Sequence, residues 1–375
     1  MKRKWISIVL ITVLIFCGCG KTSVGNKKTA EEIVDQMSLE EKVAQLFIIC
    51  PESIVDGISV VTAAGDTTKE AIDHIPVGGF IYLENNLQSE EQTKKMLKNV
   101  RQYSVDRIGL EPFLCVDEEG GQVSRLCNTG NFDVPEIEDM AKIGQDKDFK
   151  RAREVGNIIG EYLHDFGFNV DFAPVADVFS NPENEIVKTR SFGTDPKLVS
   201  KMALETAHGI KEKGVYPVYK HFPGHGATKG DTHEGYAYTD KTLEQLEECE
   251  LLPFKDGVKD KIPFMMVGHI SLPQIIGDHT PASLSKIIMT DLLRNEMGYQ
   301  GVIVTDAMNM GAIVQQYTSE EAAVKALQSG TDIILMPDNF NEAYEGVLKA
   351  VKEGILTEDR IDESVKRIVK LKQNL

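Results

Sequence analysis

The chain has 375 residues, with 41 Lys and Arg against 58 Asp and Glu, a formal charge of −17 at pH 7. That balance argues against nucleic acid, and against adsorption to an anionic membrane, because both demand clustered positive charge. Hydrophobic residues make up 42% of the chain, enough for a sizeable core, and the length suits one large α/β barrel or two small domains.

At the N-terminus, Lys2, Arg3 and Lys4 precede an uncharged apolar run from Trp5 to Phe16, then Cys17-Gly18-Cys19-Gly20. The run falls short of the roughly 20 apolar residues of a spanning helix and has the layout of an export signal. A Cys after a small residue at its end resembles a bacterial lipoprotein signal. Residues 1–19 are therefore expected to form the signal peptide, with Cys19 lipidated. Phe16 and Cys17 depart from the Leu and small residue usual there, which makes Cys17 a weaker candidate than Cys19, and a cleaved signal with free product stays open. Residues 20–29 are polar and suit a tether, and residues 30–375 are expected to fold as one domain. The mature chain keeps Cys50, Cys115, Cys127 and Cys249. Cys50 and Cys115 sit in apolar runs as small hydrophobes, no C-x-x-C pair suggests a metal or redox site, and a disulfide such as Cys115–Cys127 stays open.

From Val43 onward, short apolar runs alternate with amphipathic segments. The runs are Val43–Ile49, Gly79–Leu83, Pro112–Val116, Asn169–Pro174, Val215–Tyr219, Phe264–Val267, Val302–Thr305 and Asp332–Met336. They are apolar throughout, as parallel strands covered on both faces should be. The helical segments are Glu90–Asp106, Lys150–Phe166, Pro196–Lys213, Thr242–Asp260, Ser285–Met297, Ser319–Gln328, Asn341–Glu353 and a last helix over Glu358–Gln373. Strand and helix in repeated alternation predict a (β/α)8 TIM barrel, an α/β single domain. An open doubly wound sheet would show a Gly-rich phosphate turn after its first strand. Here the first run is followed by Pro51-Glu52-Ser53-Ile54.

A barrel builds its site at the C-terminal ends of its strands. The third run leads into Asp117-Glu118-Glu119-Gly120-Gly121-Gln122-Val123-Ser124-Arg125, the fourth ends near Asp177 and its loop carries Thr189-Arg190-Ser191-Phe192-Gly193. The fifth ends at Lys220-His221 within Lys220-His221-Phe222-Pro223-Gly224-His225-Gly226, with Asp231-Thr232-His233 beyond; the sixth ends at His269 and the seventh at Asp306. A lone strand-end Asp is more often a helix cap, and a lone His such as His269 more often a hydrogen-bonded core residue. Five consecutive strands delivering ionisable groups to one end are harder to explain without a polar ligand.

K-H-F-P-G-H-G, the following D-x-H, D-E-E-G-G-Q-V-S-R and R-S-F-G together resemble the β-N-acetylglucosaminidases of glycoside hydrolase family 3, from about Ala30 to the C-terminus. The resemblance implies retaining hydrolysis without cofactor or metal. Asp306 would be the nucleophile, His233 the acid/base, and Asp231 the carboxylate that orients His233. Asp117, Arg125, Arg190, Lys220 and His221 would hold the sugar. Aspartate is ionised at neutral pH, and imidazole can donate and then accept a proton near its ordinary pKa. Glu119 and Gln122 have either a structural or a binding role, and His225 reads as loop-shaping. Gly226 and Gly230 would let the D-x-H loop swing. Glu185 and Lys188 replace the Pro and Gly often seen before R-S-F-G, which bears on substrate preference. The implied partners are N-acetylglucosamine-containing peptidoglycan fragments and a membrane reached through a lipid anchor, for a monomer that binds no nucleic acid.

Three rivals remain. A zinc-dependent barrel hydrolase would use these histidines, yet the first strand lacks the H-x-H pair such enzymes carry. A non-catalytic lipoprotein could bind wall fragments for uptake. A phosphorolytic enzyme could share the same site, since a His acid is gentler than Glu toward anionic phosphate.

Overall fold

A computed structural model describes residues 28–55, 57–230, 235 and 237–375. Eight parallel strands form one sheet: β1 (Phe47–Ile49), β2 (Gly79–Ile81), β3 (Phe113–Val116), β4 (Val170–Asp171), β5 (Tyr216–Phe222), β6 (Phe264–Val267), β7 (Val302–Thr305) and β8 (Ile334–Leu335). Their order is β7-β6-β5-β4-β3-β2-β1-β8. A parallel bridge between Val304 and Ile333 brings β7 to β8 and closes the ring, with Thr305 N donating to Ile333 O at 3.0 Å. The expected (β/α)8 barrel is present.

The strands are buried almost throughout, as their unbroken apolar runs require. Gly79 keeps β2 against β3, because a Cβ there would lie 2.4 Å from Phe113 O. Between the strands, the helices Glu90–Ile108, Phe149–Phe166 and Pro196–Glu212 turn apolar stripes inward. Their N-termini are capped by Ser89, Asp148 and Asp195 side chains.

Several boundaries differ from expectation. Val43–Gln45 belong to a helix, Leu39–Gln45, whose Ser38–Glu41 capping box starts it just before β1. A helix over Asp66–His74 follows β1; only Thr68 and Ile72 of it are buried. The Thr242–Asp260 segment is two helices, Leu243–Glu248 and Leu251–Lys259, broken at Cys249. The last helix, Glu358–Lys372, lies across the N-terminal mouth of the barrel. Its Arg360 donates to Leu327 O and Thr331 O, while at its other end Tyr216 Oη donates to Leu371 O. The short helix Ala30–Val34 packs on it, so the described chain begins on the face opposite the C-terminal strand ends. The four described cysteines are free thiols.

Candidate active site

The C-terminal ends of the strands enclose a cavity of about 500 Å³. Asp117, Glu119, Arg125, Glu185, Arg190, Lys220, His221 and Asp306 line it, together with apolar side chains that include Ile81, Met266, Met310 and Met336. Every binding residue expected from the sequence, and the expected nucleophile, meet here. Asp231 and His233 lie outside the described residues.

β5 delivers two consecutive residues, Lys220 and His221, joined by a cis peptide bond where its pairing with β6 shifts between Tyr219 and Phe222. Lys220 is 2% exposed, and its ammonium sits 2.9 Å from Asp117 Oδ1 and 2.6 Å from Glu119 Oε1. Burial works against that charge, but Asp117 and Glu119 outweigh it and hold the amine above its ordinary pKa. Arg190 grips Glu119 with two parallel bonds, Nε to Oε2 at 2.8 Å and Nη2 to Oε1 at 2.7 Å. Burial alone would raise the Glu119 carboxyl, yet Arg190 and Lys220 hold it well below the usual carboxylate range. Glu119 is therefore the anion that pins both cations beside the cavity. On the rim, Arg125 Nη1 lies 3.2 Å from Glu84 Oε1 and Nη2 lies 3.7 Å from Asp117 Oδ2.

Asp306 follows β7 directly. Its backbone N–H donates to Val267 O at 2.9 Å, and its Oδ1 accepts from Ala307 N at 2.8 Å. Burial pushes its pKa up, but His221, His269, the Ala307 N–H and Lys220 together take it below the ordinary aspartate value. The result is an ionised carboxylate on a rigid strand end. His269 braces the neighbouring backbone: Nε2–H donates to Ala307 O at 2.9 Å, and Nδ1 lies 2.7 Å from Ser283 Oγ. That is the hydrogen-bonded core histidine the sequence favoured.

The turn after β5 is fastened to the β4 loop. Asn184 Nδ2 donates to His225 O at 2.8 Å, and Asn181 Nδ2 to Thr228 O at 2.8 Å. His225 is buried, and desolvation followed by the charge of His221 lowers its pKa to about 4, so it stays neutral. It shapes the turn, as expected. Gly226 differs from expectation: a Cβ there would lie 1.8 Å from Val178 O. It is a close-packing glycine, not a hinge. Gly230, with φ +84°, does need the left-handed freedom of glycine. Lys229, just before it, and Tyr238 pair as an antiparallel bridge.

The glycosyl hydrolase family 3 N terminal domain model matches residues 38–371, nearly the whole barrel. The chain belongs to this family. Beta-hexosaminidase A of Pseudoalteromonas piscicida is 33% identical over 336 residues, covering 82% of this chain and 55% of that protein. Beta-hexosaminidase LpqI of Mycobacterium tuberculosis is 35% identical over 265 residues, 68% of this chain and 67% of LpqI. A solved glycoside hydrolase family 3 β-N-acetylglucosaminidase from Paenibacillus sp. str. FPU-7 is similar with a TM-score of 0.83 at 35% identity, covering 90% of this chain and 62% of that one. This family 3 barrel thus spans between about half and two thirds of the length of those relatives.

Within this family 3 barrel, sequence reasoning left Glu119 undecided and missed the apolar lining residues Met266, Met310 and Met336. Strand alternation carried a signal for Glu119, since side chains at 117 and 119 share a face while Glu118 turns away. Glu118 instead accepts from Leu126 N at 3.0 Å and Tyr162 Oη at 3.0 Å, and burial raises its pKa to about 7. Met336 departs from the ordinary backbone regions, with φ +46°, and no sequence pattern announces that. Glu185 borders the cavity and pairs with Lys188 at 3.0 Å.

Proposed function

We propose that this protein is a retaining exo-β-N-acetylglucosaminidase that removes terminal non-reducing N-acetylglucosamine from peptidoglycan fragments. The observation that carries the reading is an ionised Asp306 at a strand end, in a cavity ringed by Asp117, Arg125, Arg190, Lys220 and His221. A cavity of about 500 Å³ suits one pyranose and not a long chain, which favours action at an end. Hydroxyls of that sugar find acceptors in Asp117 and donors in Arg125, Arg190 and Lys220. The names of the relatives, beta-hexosaminidase and β-N-acetylglucosaminidase, support the amino sugar.

Asp306 Oδ1 is taken by the Ala307 N–H, so Oδ2 forms the bond to the anomeric carbon. As the glycosidic bond breaks, His233 gives its proton to the leaving oxygen. His233 then takes a proton from water, the water oxygen bonds to the anomeric carbon, and the Asp306–carbon bond breaks, so configuration is retained. Asp231 orients the imidazole and stabilises its cationic form.

For location, we read Cys19 as a lipid anchor. Lys28 O accepts from Gln373 Nε2 at 2.7 Å on the face opposite the cavity. The nine steps from Cys19 to Lys28 reach at most about 30 Å, so an anchored barrel turns its mouth away from the membrane. Asp306→Ala and His233→Ala should each cut turnover of a chromogenic N-acetylglucosaminide by orders of magnitude. Unchanged turnover in both variants ends the hydrolase reading.

A further inference from the structure

Asp177 is fully buried at the end of the β4 segment and gathers donors from a single turn. His221 N lies 3.2 Å from each of its oxygens, His225 N lies 2.6 Å from Oδ1, and His221 Nδ1 lies 2.7 Å from Oδ2. Ser191 Oγ donates to the Asp177 carbonyl at 2.7 Å, which ties this backbone to the Arg190 loop. We propose that Asp177 is a positioning residue: it fixes the proton of His221 on Nδ1, turns Nε2 into the cavity, and so sets what the sugar and Asp306 meet there. The proposal rests on the glycosidase reading, because it gives His221 a task beside the nucleophile.

The chemistry follows from what a carboxylate can do. An ionised carboxylate only accepts, so the nitrogen facing it must carry hydrogen. Burial disfavours the Asp177 anion, but His221, and after it His225 with its backbone N–H, outweigh that and keep its pKa low. Neutral His221 therefore offers a lone pair at Nε2, which lies 3.5 Å from Arg190 Nη2, and protonated His221 offers a donor there. Carboxylates behind a ligating imidazole act in the same way at metal sites.

The charged neighbours set the direction of the effect. His221 faces Asp177 and Arg190 from the β4 loop, His225 from its own turn and Asp306 from β7. Asp306 also faces His269 from the loop after β6 and Lys220 from β5. Without the Asp177 carboxylate nothing holds hydrogen on His221 Nδ1, and Asp306 loses part of the His221 charge that keeps its carboxyl low. Its carboxyl then titrates higher, and the acid limb of activity moves to higher pH.

Two measurements test this. In wild-type protein with 15N-labelled histidine, NMR should show His221 carrying hydrogen on Nδ1 when neutral. Asp177→Asn keeps one acceptor but sets an NH2 group against backbone N–H donors. It should lower kcat/KM about ten- to hundredfold and move the acid limb up by on the order of one pH unit. A purely structural role would lower unfolding temperature and activity while leaving the limb in place. Hydrogen on Nε2 of neutral wild-type His221, or an unmoved limb in a folded Asp177→Asn protein, overturns the proposal. If the variant does not fold, the wild-type tautomer decides. Because that tautomer is read without substrate, a wild type inactive on N-acetylglucosaminides would refute the glycosidase reading separately.

Discussion

Lys372 offers a quantitative test of how the barrel is closed at its base. Its amine is buried beneath the last helix, where Nζ donates to Gln45 Oε1 at 2.7 Å and stands 5.0 Å from the Phe113 ring centroid. Burial lowers its pKa from the ordinary 10.5 to about 7, a difference equivalent to about 5 kcal/mol against the charged form. Between those values the unfolded chain binds more protons than the folded one, so rising pH relieves the cost and stability increases. The cost is about 4 kcal/mol at pH 7, where the folded amine is half charged, and about 2 kcal/mol at pH 9. Lys372→Met removes it but leaves Gln45 Oε1 without its donor, at about 1–3 kcal/mol. The variant should therefore be more stable than wild type at pH 7 by roughly 1–3 kcal/mol. By pH 9 that advantage should shrink by about 2 kcal/mol, to within about 1 kcal/mol of zero. Urea unfolding of both proteins from pH 6 to 9.5 measures the difference directly, and turnover should be unchanged because the cavity is at the other end. A stability difference that stays flat with pH would refute the reasoning.

Two further outcomes follow. Glu119→Gln leaves Arg190 and Lys220 buried without their shared anion, so stability should fall by about 3–5 kcal/mol. Displacing both donors should lower kcat/KM on the order of a hundredfold; unchanged kinetics would deny Glu119 its role at the site. The orientation of the anchored barrel can be read by fluorescence, since Trp5 in the signal segment is the single Trp of the chain. In lipidated protein on vesicles with acceptor-labelled headgroups, a Trp replacing exposed Lys259 at the base should transfer energy more efficiently than one replacing Val314 beside the mouth. Equal or reversed transfer would place the mouth elsewhere.

The barrel was legible because parallel strands buried on both faces have no polar positions to blur them: β6 and β7 match the expected bounds residue for residue. β1 was overextended because Val43 and Ala44 are as apolar as a strand, and only the Ser38–Glu41 capping box marks them as helical. The helix after β1 escaped because Asp66–His74 offers just two buried side chains to any periodicity. At the site, charged residues at strand ends stood out against apolar runs, so Asp117, Lys220, His221 and Asp306 could be named. Asp177 was visible only as a strand-end acid, since its value lies in contacts with a turn more than forty residues away. Gly226 misled because a glycine that makes room for a carbonyl reads the same as one that bends.

The account turns on Asp306 bonding covalently to the sugar. A slow-reacting 2-deoxy-2-fluoro glucosyl donor, followed by proteolysis and mass spectrometry, tests that step. The account predicts one sugar residue attached to the peptide that contains Asp306, with activity recovering as the label is lost. A label on any other carboxylate, or steady hydrolysis with no labelled peptide, would contradict it.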